Sequence, residues 1–304
     1  MKKKIRFFAC LAFVTALVFL LPACGSGGQP DAGQKEPASA AKGVFTFGII
    51  PAETDIPEET LRKLEHYLSE KLGREVKAAT YPNYNGVVEA LNYGKLDMAY
   101  LGPLTYVLAN HESGVQAIVA KTFDGKPYYH SLLIAPADSP YDSIEDVVAH
   151  ASQITFAFGD PNSTSGSLVP SIQLKELGVY NSPDDHKFKK VIFTGAHNVT
   201  ALSVASKQVD VGAIDSAYFQ QMIKDGKVKE SDYKVIWQSE KLFQYPFAVK
   251  KGTDEATVAK LQAAFMSIKD EAILKAFAAD GFVEASDQDY EAIRQAAMKD
   301  GRIK

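Results

Sequence analysis

The stretch ITFAFGDPNSTSGSLVPSIQLKELG, residues 154–178, reads as a strand, a loop and a helix in direct succession. Ile154, Phe156 and Phe158 alternate along the first part, the period of two expected of a strand. The loop then carries three consecutive hydroxyls, Ser163, Thr164 and Ser165, followed by Gly166. Asn162 or Ser163 is suited to cap the helix that follows. A helix start has unpaired N–H groups and the positive end of the dipole, so added hydroxyl donors and a residue without bulk make a cradle for an anion. The same residues also suit a capped helix with no ligand. Pro170 would clash with the Gly166 carbonyl in a regular helix, so an irregular first turn is predicted.

Similar strand-to-helix steps recur along the chain. VFTFGII (residues 44–50) reads as a strand. PEETLRKLEHYLSEKLG (57–73) reads as a helix, with Pro57 in the first turn, Leu61, Leu64, Leu68 and Leu72 on one stripe, and Gly73 as its stop. Strands and helices then alternate to about residue 250, which gives an α/β fold. Asp124-Gly125 predicts a hairpin inside residues 115–136. From about residue 253 the chain reads as helical to its end. KLDMAYLGPLTY (95–106) and QVDVGAIDSAYF (208–219) share a plan, with Asp97 matching Asp210. Each is an acid-started apolar strand that breaks and enters a helix, which suggests two lobes facing one cleft. Two unrelated strand-helix steps would look the same.

The start of the chain reads differently. MKKKIR precedes the apolar run FFACLAFVTALVFLLPA and then Cys24. A basic start, an apolar core and small residues at a cut site are a secretory signal. Residues 1–23 are expected to be a lipoprotein signal peptide, with Cys24 lipidated. The apolar run is also just long enough for a retained membrane anchor. Residues 24–43, rich in Gly, Ser, Ala and Pro, read as a flexible tether. Both cysteines of the chain, Cys10 and Cys24, lie in this leader. The body therefore has no thiol for a disulfide, catalysis or metal, and roughly 260 residues are enough to hold a core without one.

Composition narrows the function. At 46% hydrophobic and 23% charged the chain is of ordinary globular type. Its net charge of −4 falls to −8 once the leader's four basic residues (Lys2, Lys3, Lys4, Arg6) are removed. A negative body argues against nucleic-acid binding but leaves room for a small anion held by local dipoles. The spacing of Gly159 and Gly166 does not fit a phosphate-binding P-loop, and no G-x-S-x-G elbow is present. No H-E-x-x-H or paired cysteine supports a metal site, and no cofactor is implied. Ser163 or Ser165 with His197 as base would serve a hydrolase, but nothing in the sequence fixes that geometry.

FGDPNSTSGSLVP (158–170) followed by TGAHNVTALSVASKQVDV (194–211), after YPNYNGVVEALNYGKLDMAYLG (81–102) and YYHSLLI (128–134), resembles the phosphonate- and phosphite-binding proteins of ABC importers. The resemblance runs from about Phe47 to the last helices. It implies a two-lobed periplasmic-binding-protein fold of type II kind, closing on its ligand at a hinge. Residues 44–135 plus 247–304 would form one lobe and 136–246 the other. It also implies a receptor exported and lipid-anchored on the extracytoplasmic face of the cell membrane. That receptor would deliver its ligand to a membrane permease with its ATPase.

Position by position, Ser163, Thr164 and Ser165 resemble the family's phosphonyl clamp, His197 its cleft histidine, and Tyr84 and Tyr129 its cleft tyrosines. A protonated or N–H-donating His197 suits an oxyanion; a solvent histidine at a helix start would look the same. Tyr84 and Tyr129 would equally serve as core. Asp215 and Ser216 open the second echo helix, as ligand contacts or as simple caps. The acids with which aminoalkyl-phosphonate binders hold an ammonium fall near Ala217 and Tyr245 here, and neither is charged. That favours a smaller ligand: phosphite, methylphosphonate, or phosphate. His130 and LFQYPF (242–247) would either shrink the pocket or belong to the core. A receptor for sulfonate or a selenate-like anion is the alternative within the binding class.

Overall fold

The computed structural model describes residues 43–52 and 56–304. The predicted signal peptide, Cys24 and the tether up to residue 42 lie outside the described residues. The chain runs β1 (Phe45–Ile49), α1 (Glu58–Leu72), β2 (Val76–Thr80), α2 (Tyr84–Asn92), β3 (Met98–Tyr100), α3 (Pro103–Ser113), β4 (Gln116–Thr122), β5 (Tyr128–Tyr129) and β6 (Ser131–Pro136). It continues α4 (Ile144–Ala149), β7 (Thr155–Phe158), α5 (Val169–Glu176), β8 (Tyr180–Ser182), β9 (Asp185–His186), β10 (Lys190–Phe193), α6 (His197–Ala205), β11 (Val211–Asp215), α7 (Ser216–Lys224) and β12 (Tyr233–Gln238). It closes with β13 (Leu242–Phe243), β14 (Pro246–Val249), α8 (Glu255–Met266), α9 (Glu271–Ala276), β15 (Gly281–Glu284) and α10 (Glu291–Lys299).

Two mixed sheets result. The first has the order β15-β4-β14-β3-β1-β2 and the second β10-β7-β11-β6-β12. In each, a parallel half (β3-β1-β2; β10-β7-β11) carries the strand-helix steps, and antiparallel strands complete the sheet. Helices cover the parallel strands, so β11 is buried along its whole length and β7 almost so. The predicted echo has a structural basis. Asp97 Oδ2 accepts from Thr46 N–H of β1 at 2.8 Å, and Asp210 Oδ2 accepts from Thr155 N–H of β7 at 2.7 Å. Each acid ties the start of its strand to a parallel neighbour, one in each lobe.

Three expectations are corrected. The turn at Asp124-Gly125 forms, with φ of 50° and 68°, but only the bridge Phe123–Lys126 closes it. Its two arms then part, β4 joining the first sheet and β6 the second. Pro127, which has no N–H to donate, follows the bridge. The lobe division expected after residue 135 also moves, because β6 pairs along its length with β11 and β12. The chain changes sheet between Thr122 and Ser131 and returns between Gln238 and Pro246, with the small β5–β13 ribbon in the crossing. Finally, the C-terminal segment is not all helix, since β15 pairs with β4 from Gly281 to Glu284.

Candidate ligand-binding site

The hydroxyl run is shaped by the irregular turn that Pro170 demands. Leu168 N–H donates to Ser163 O at 3.0 Å, five residues back, so residues 164–168 form a wide π-type turn. The Gly166 carbonyl, freed from α5, accepts from Gly159 N–H at 2.7 Å. Ser163 caps the turn, its Oγ accepting from Gly166 N–H at 3.0 Å. A Cβ on Gly166 would lie 2.9 Å from Ser163 Oγ and 3.1 Å from Gly159 Cα. Gly166→Ala is therefore expected to cost about 1–3 kcal/mol of stability by overpacking, measurable by chemical denaturation. An unchanged midpoint would show that the turn yields freely.

Closure brings the other lobe onto this turn. Leu104 N–H, at the start of α3, donates to Thr164 Oγ1 at 2.8 Å. Tyr84 N–H, at the start of α2, lies 3.4 Å from Asp160 Oδ2. Ser163, Thr164, Ser165, Tyr84, Tyr129, His197 and Asp215 are all buried. Ser165 Oγ, Tyr129 Oη and Asp215 Oδ2 make no well-aligned hydrogen bond, although Tyr129 lies near Thr164 and Ser165 and Asp215 near Tyr245. Buried polar groups are paired in the great majority of cases, so three underused groups turned into one cluster suit a polar ligand.

His197 opens α6. Its N–H donates to Ala52 O across the cleft at 3.1 Å, and its Nε2 lies 3.0 Å from Tyr245 Oη. Asp215 N–H points at Nδ1 from 3.4 Å, which assigns the ring proton to Nε2. Burial, reinforced by the Lys121 charge, holds the imidazole down to about 3. Of the two forms expected, this arrangement favours the neutral N–H donor over the imidazolium. The serine–histidine pair of a hydrolase does not form either, because Nε2 faces Tyr245 and Nδ1 the backbone.

Asp215 caps α7, its Oδ1 accepting from Ala217 N–H at 2.6 Å and Tyr218 N–H at 3.0 Å. Burial raises its carboxyl pKa. Oδ2 therefore faces the cluster as a group poised either to donate a proton to an oxyanion or to accept one. Burial likewise pushes the hydroxyls of Tyr84, Tyr129 and Tyr245 up, so they stay protonated and act as donors. Ser216 is used differently. Its Oγ accepts from His130 N–H at 2.9 Å and its N–H donates to His130 O at 3.0 Å, strapping α7 to the crossing chain. His130 turns Nδ1 to Ser239 O at 2.7 Å.

Tyr100, Tyr218 and Lys121 were not singled out from the sequence, and Tyr245 only as a cleft position within the run 242–247. Tyr245 stacks on Tyr100 at 5.7 Å and meets Tyr129 at 5.5 Å and Tyr218 at 5.7 Å between ring centroids. Tyr100 and Tyr218, one from each lobe and both next to the echo's strand ends, share a hydrogen bond of 3.0 Å. Lys121 is buried beside them. Lys175–Asp300 at 2.7 Å, Lys299–Glu176 at 2.6 Å and Lys275–Asp225 at 2.9 Å join the two lobes, and Lys224–Asp124 at 2.9 Å ties the second lobe to the crossing segment. Lys299–Glu176 and Lys224–Asp124 are exposed pairs, which are individually weak, whereas the carboxylates of Asp300 and Asp225 are buried.

Two mixed α/β lobes closed on a buried polar cluster define a periplasmic solute-binding protein. The structure of Prochlorococcus marinus (MIT 9301) PhnD1 in complex with methylphosphonate is similar, at 25% identity and a TM-score of 0.73 over 86% of this chain and 99% of that one. In sequence the chain is 33% identical to the phosphonates-binding periplasmic protein of Escherichia coli K12, over 84% of this chain and 76% of that protein. It is 31% identical to the phosphate-import protein PhnD of Mycolicibacterium smegmatis, over 92% and 88%. Residues 47–290 match the family described as ABC transporter, phosphonate, periplasmic substrate-binding protein, and the chain belongs to it. It is an extracytoplasmic binding component of an ABC importer, and the hydrolase alternative falls away.

Proposed function

We propose that this receptor captures a small phosphorus oxyanion, phosphite or methylphosphonate, and presents it to its permease in the closed form seen here. The observation that carries this reading is the underused set Ser165 Oγ, Tyr129 Oη and Asp215 Oδ2 inside an otherwise paired, buried cluster. Ser163, Thr164 and Ser165 hold the phosphoryl oxygens together with the N–H groups at the start of their turn. Tyr84 and Tyr129 donate from the facing wall, and His197 acts through its N–H and Tyr245. Asp215 shares a proton with the ligand, and Ser216 fixes the helix that bears it. The lobes are residues 44–122 plus 246–304, and 131–238, with the segments between them as the hinge.

Phosphate is a second reading, favoured by the name of the M. smegmatis relative. Titration calorimetry with phosphite, methylphosphonate, phosphate, sulfate and 2-aminoethylphosphonate decides. The tightest binding is expected for phosphite or methylphosphonate; preference for sulfate, or no binding at all, would refute the assignment. The membrane attachment is carried by Cys24 in the same proposal. Cys24→Ser should move the expressed protein from the detergent phase to the aqueous phase in detergent partition, and a wild type already aqueous would end the lipid-anchor reading.

A further inference from the structure

Lys121 lies on β4 and is fully buried; among the described residues no other lysine or arginine is. Its Nζ donates to the carbonyls of Phe277 at 3.0 Å and Ala278 at 3.4 Å. Those carbonyls close the C-terminal end of α9, where unpaired C=O groups and the negative end of the dipole suit a cation. The same Nζ lies 3.9 Å from the centroid of the Tyr218 ring and 4.9 Å from that of Tyr245. Both distances are within the range of cation–π attraction. These two rings belong to the candidate site. Tyr245 Oη meets His197, and the Tyr218 backbone N–H is held by Asp215. The ammonium thus touches two walls of the cluster from behind, and its charge lowers the proton affinity of both His197 and Asp215.

We propose that Lys121 is a specificity-determining residue: its ammonium, fixed against the Tyr218 and Tyr245 rings, favours a small anion and excludes a ligand that carries its own cation. The inference rests on the phosphorus-oxyanion reading above. A cationic tail entering the closed cleft would meet Lys121 across about one ring's breadth. At the effective dielectric of a protein interior, repulsion between unit charges at such a distance is worth roughly 10- to 50-fold in affinity. A neutral tail of the same length meets no such repulsion, so the effect separates charge from size.

The test compares methylphosphonate, n-propylphosphonate and 2-aminoethylphosphonate by calorimetry on the wild type, Lys121→Met and Lys121→Arg. The wild type is expected to bind the propyl compound about 10- to 50-fold more tightly than the aminoethyl compound. In Lys121→Met the preference for methyl over aminoethyl should shrink by a similar factor, while Lys121→Arg retains it. The wild-type comparison stands even where Lys121→Met fails to fold. Equal affinity for the propyl and aminoethyl compounds overturns the assignment. So does a methyl-to-aminoethyl preference unchanged in a folded Lys121→Met, including no detectable aminoethyl binding by either protein. A wild type that binds none of the three overturns the underlying reading and this inference together, a result distinct from equal binding.

Discussion

Thr164→Val weakens binding of phosphite or methylphosphonate by about 10- to 100-fold, the scale of one or two hydrogen bonds to a charged group. Valine keeps the shape of the side chain and removes its oxygen. Two losses then coincide. In the proposed binding mode the ligand loses a hydroxyl donor on its phosphoryl end, and Leu104 N–H loses the acceptor it has at 2.8 Å. That second loss matters only once the lobes have closed, because in an open cleft water satisfies the amide. The variant should therefore bind weakly yet unfold, without ligand, almost as the wild type does. Calorimetry and a ligand-free melt check the two halves. Full affinity in Thr164→Val would mean that the run is a helix cap and no more.

The parts of this site that were legible in the sequence are those built on local rules. A run of hydroxyls after a strand, a proline four residues beyond a glycine, and an acid at the head of each echoed strand each have a short-range physical meaning. In the structure the hydroxyls, glycine and proline form the turn at residues 164–168, while Asp97 and Asp210 each tie two parallel strands within their own lobe. What was not legible depends on partners far along the chain. Lys121 stands in an apolar run, and its burial is explained by contacts far along the chain, among them the Phe277 and Ala278 carbonyls and the Tyr218 and Tyr245 rings. Tyr245 falls in LFQYPF, read as either pocket wall or core, nothing local marks Tyr100 or Tyr218, and the meeting of the three is set by the tertiary fold. Likewise Asp124-Gly125 is a sound turn signal, but no local rule says that the arms beyond it enter different sheets. The strand at 281–284 was hidden because its pairing partner, β4, is given only by the tertiary fold.

His197 sets the sign of the pH response, and the sign differs from that of a charged histidine attracting an anion. The ring is neutral in the closed protein, held at about 3 against an ordinary 6.5. Above pH 6.5 both folded and unfolded chains carry it neutral, so its titration contributes nothing. As pH falls below that point the unfolded chain takes up a proton that the folded protein refuses, and stability falls with pH until the folded group itself titrates. Between pH 6.5 and about pH 4.5 the loss attributable to this one residue is about 2–3 kcal/mol. Protonation would also put an N–H on Nδ1 against the Asp215 N–H, two donors facing each other. That contact lies within one lobe and opening does not relieve it. Opening does return to water a ring whose burial opposes its charge, so protonation favours the open form and affinity should fall on acidification over the same range. An imidazolium contact would predict the reverse, with affinity falling as pH rises. Asp215 and Asp160, both raised by burial, take up protons in the folded state first and so oppose the His197 effect. The ligand titrates too. Subtracting the profile of His197→Gln, which keeps an N–H donor without the titration, removes both contributions. The difference in stability and in affinity between wild type and variant should turn against the wild type as pH drops below 6.5. A difference that instead favours the wild type at acid pH would show that the histidine is charged in the complex and holds the anion directly.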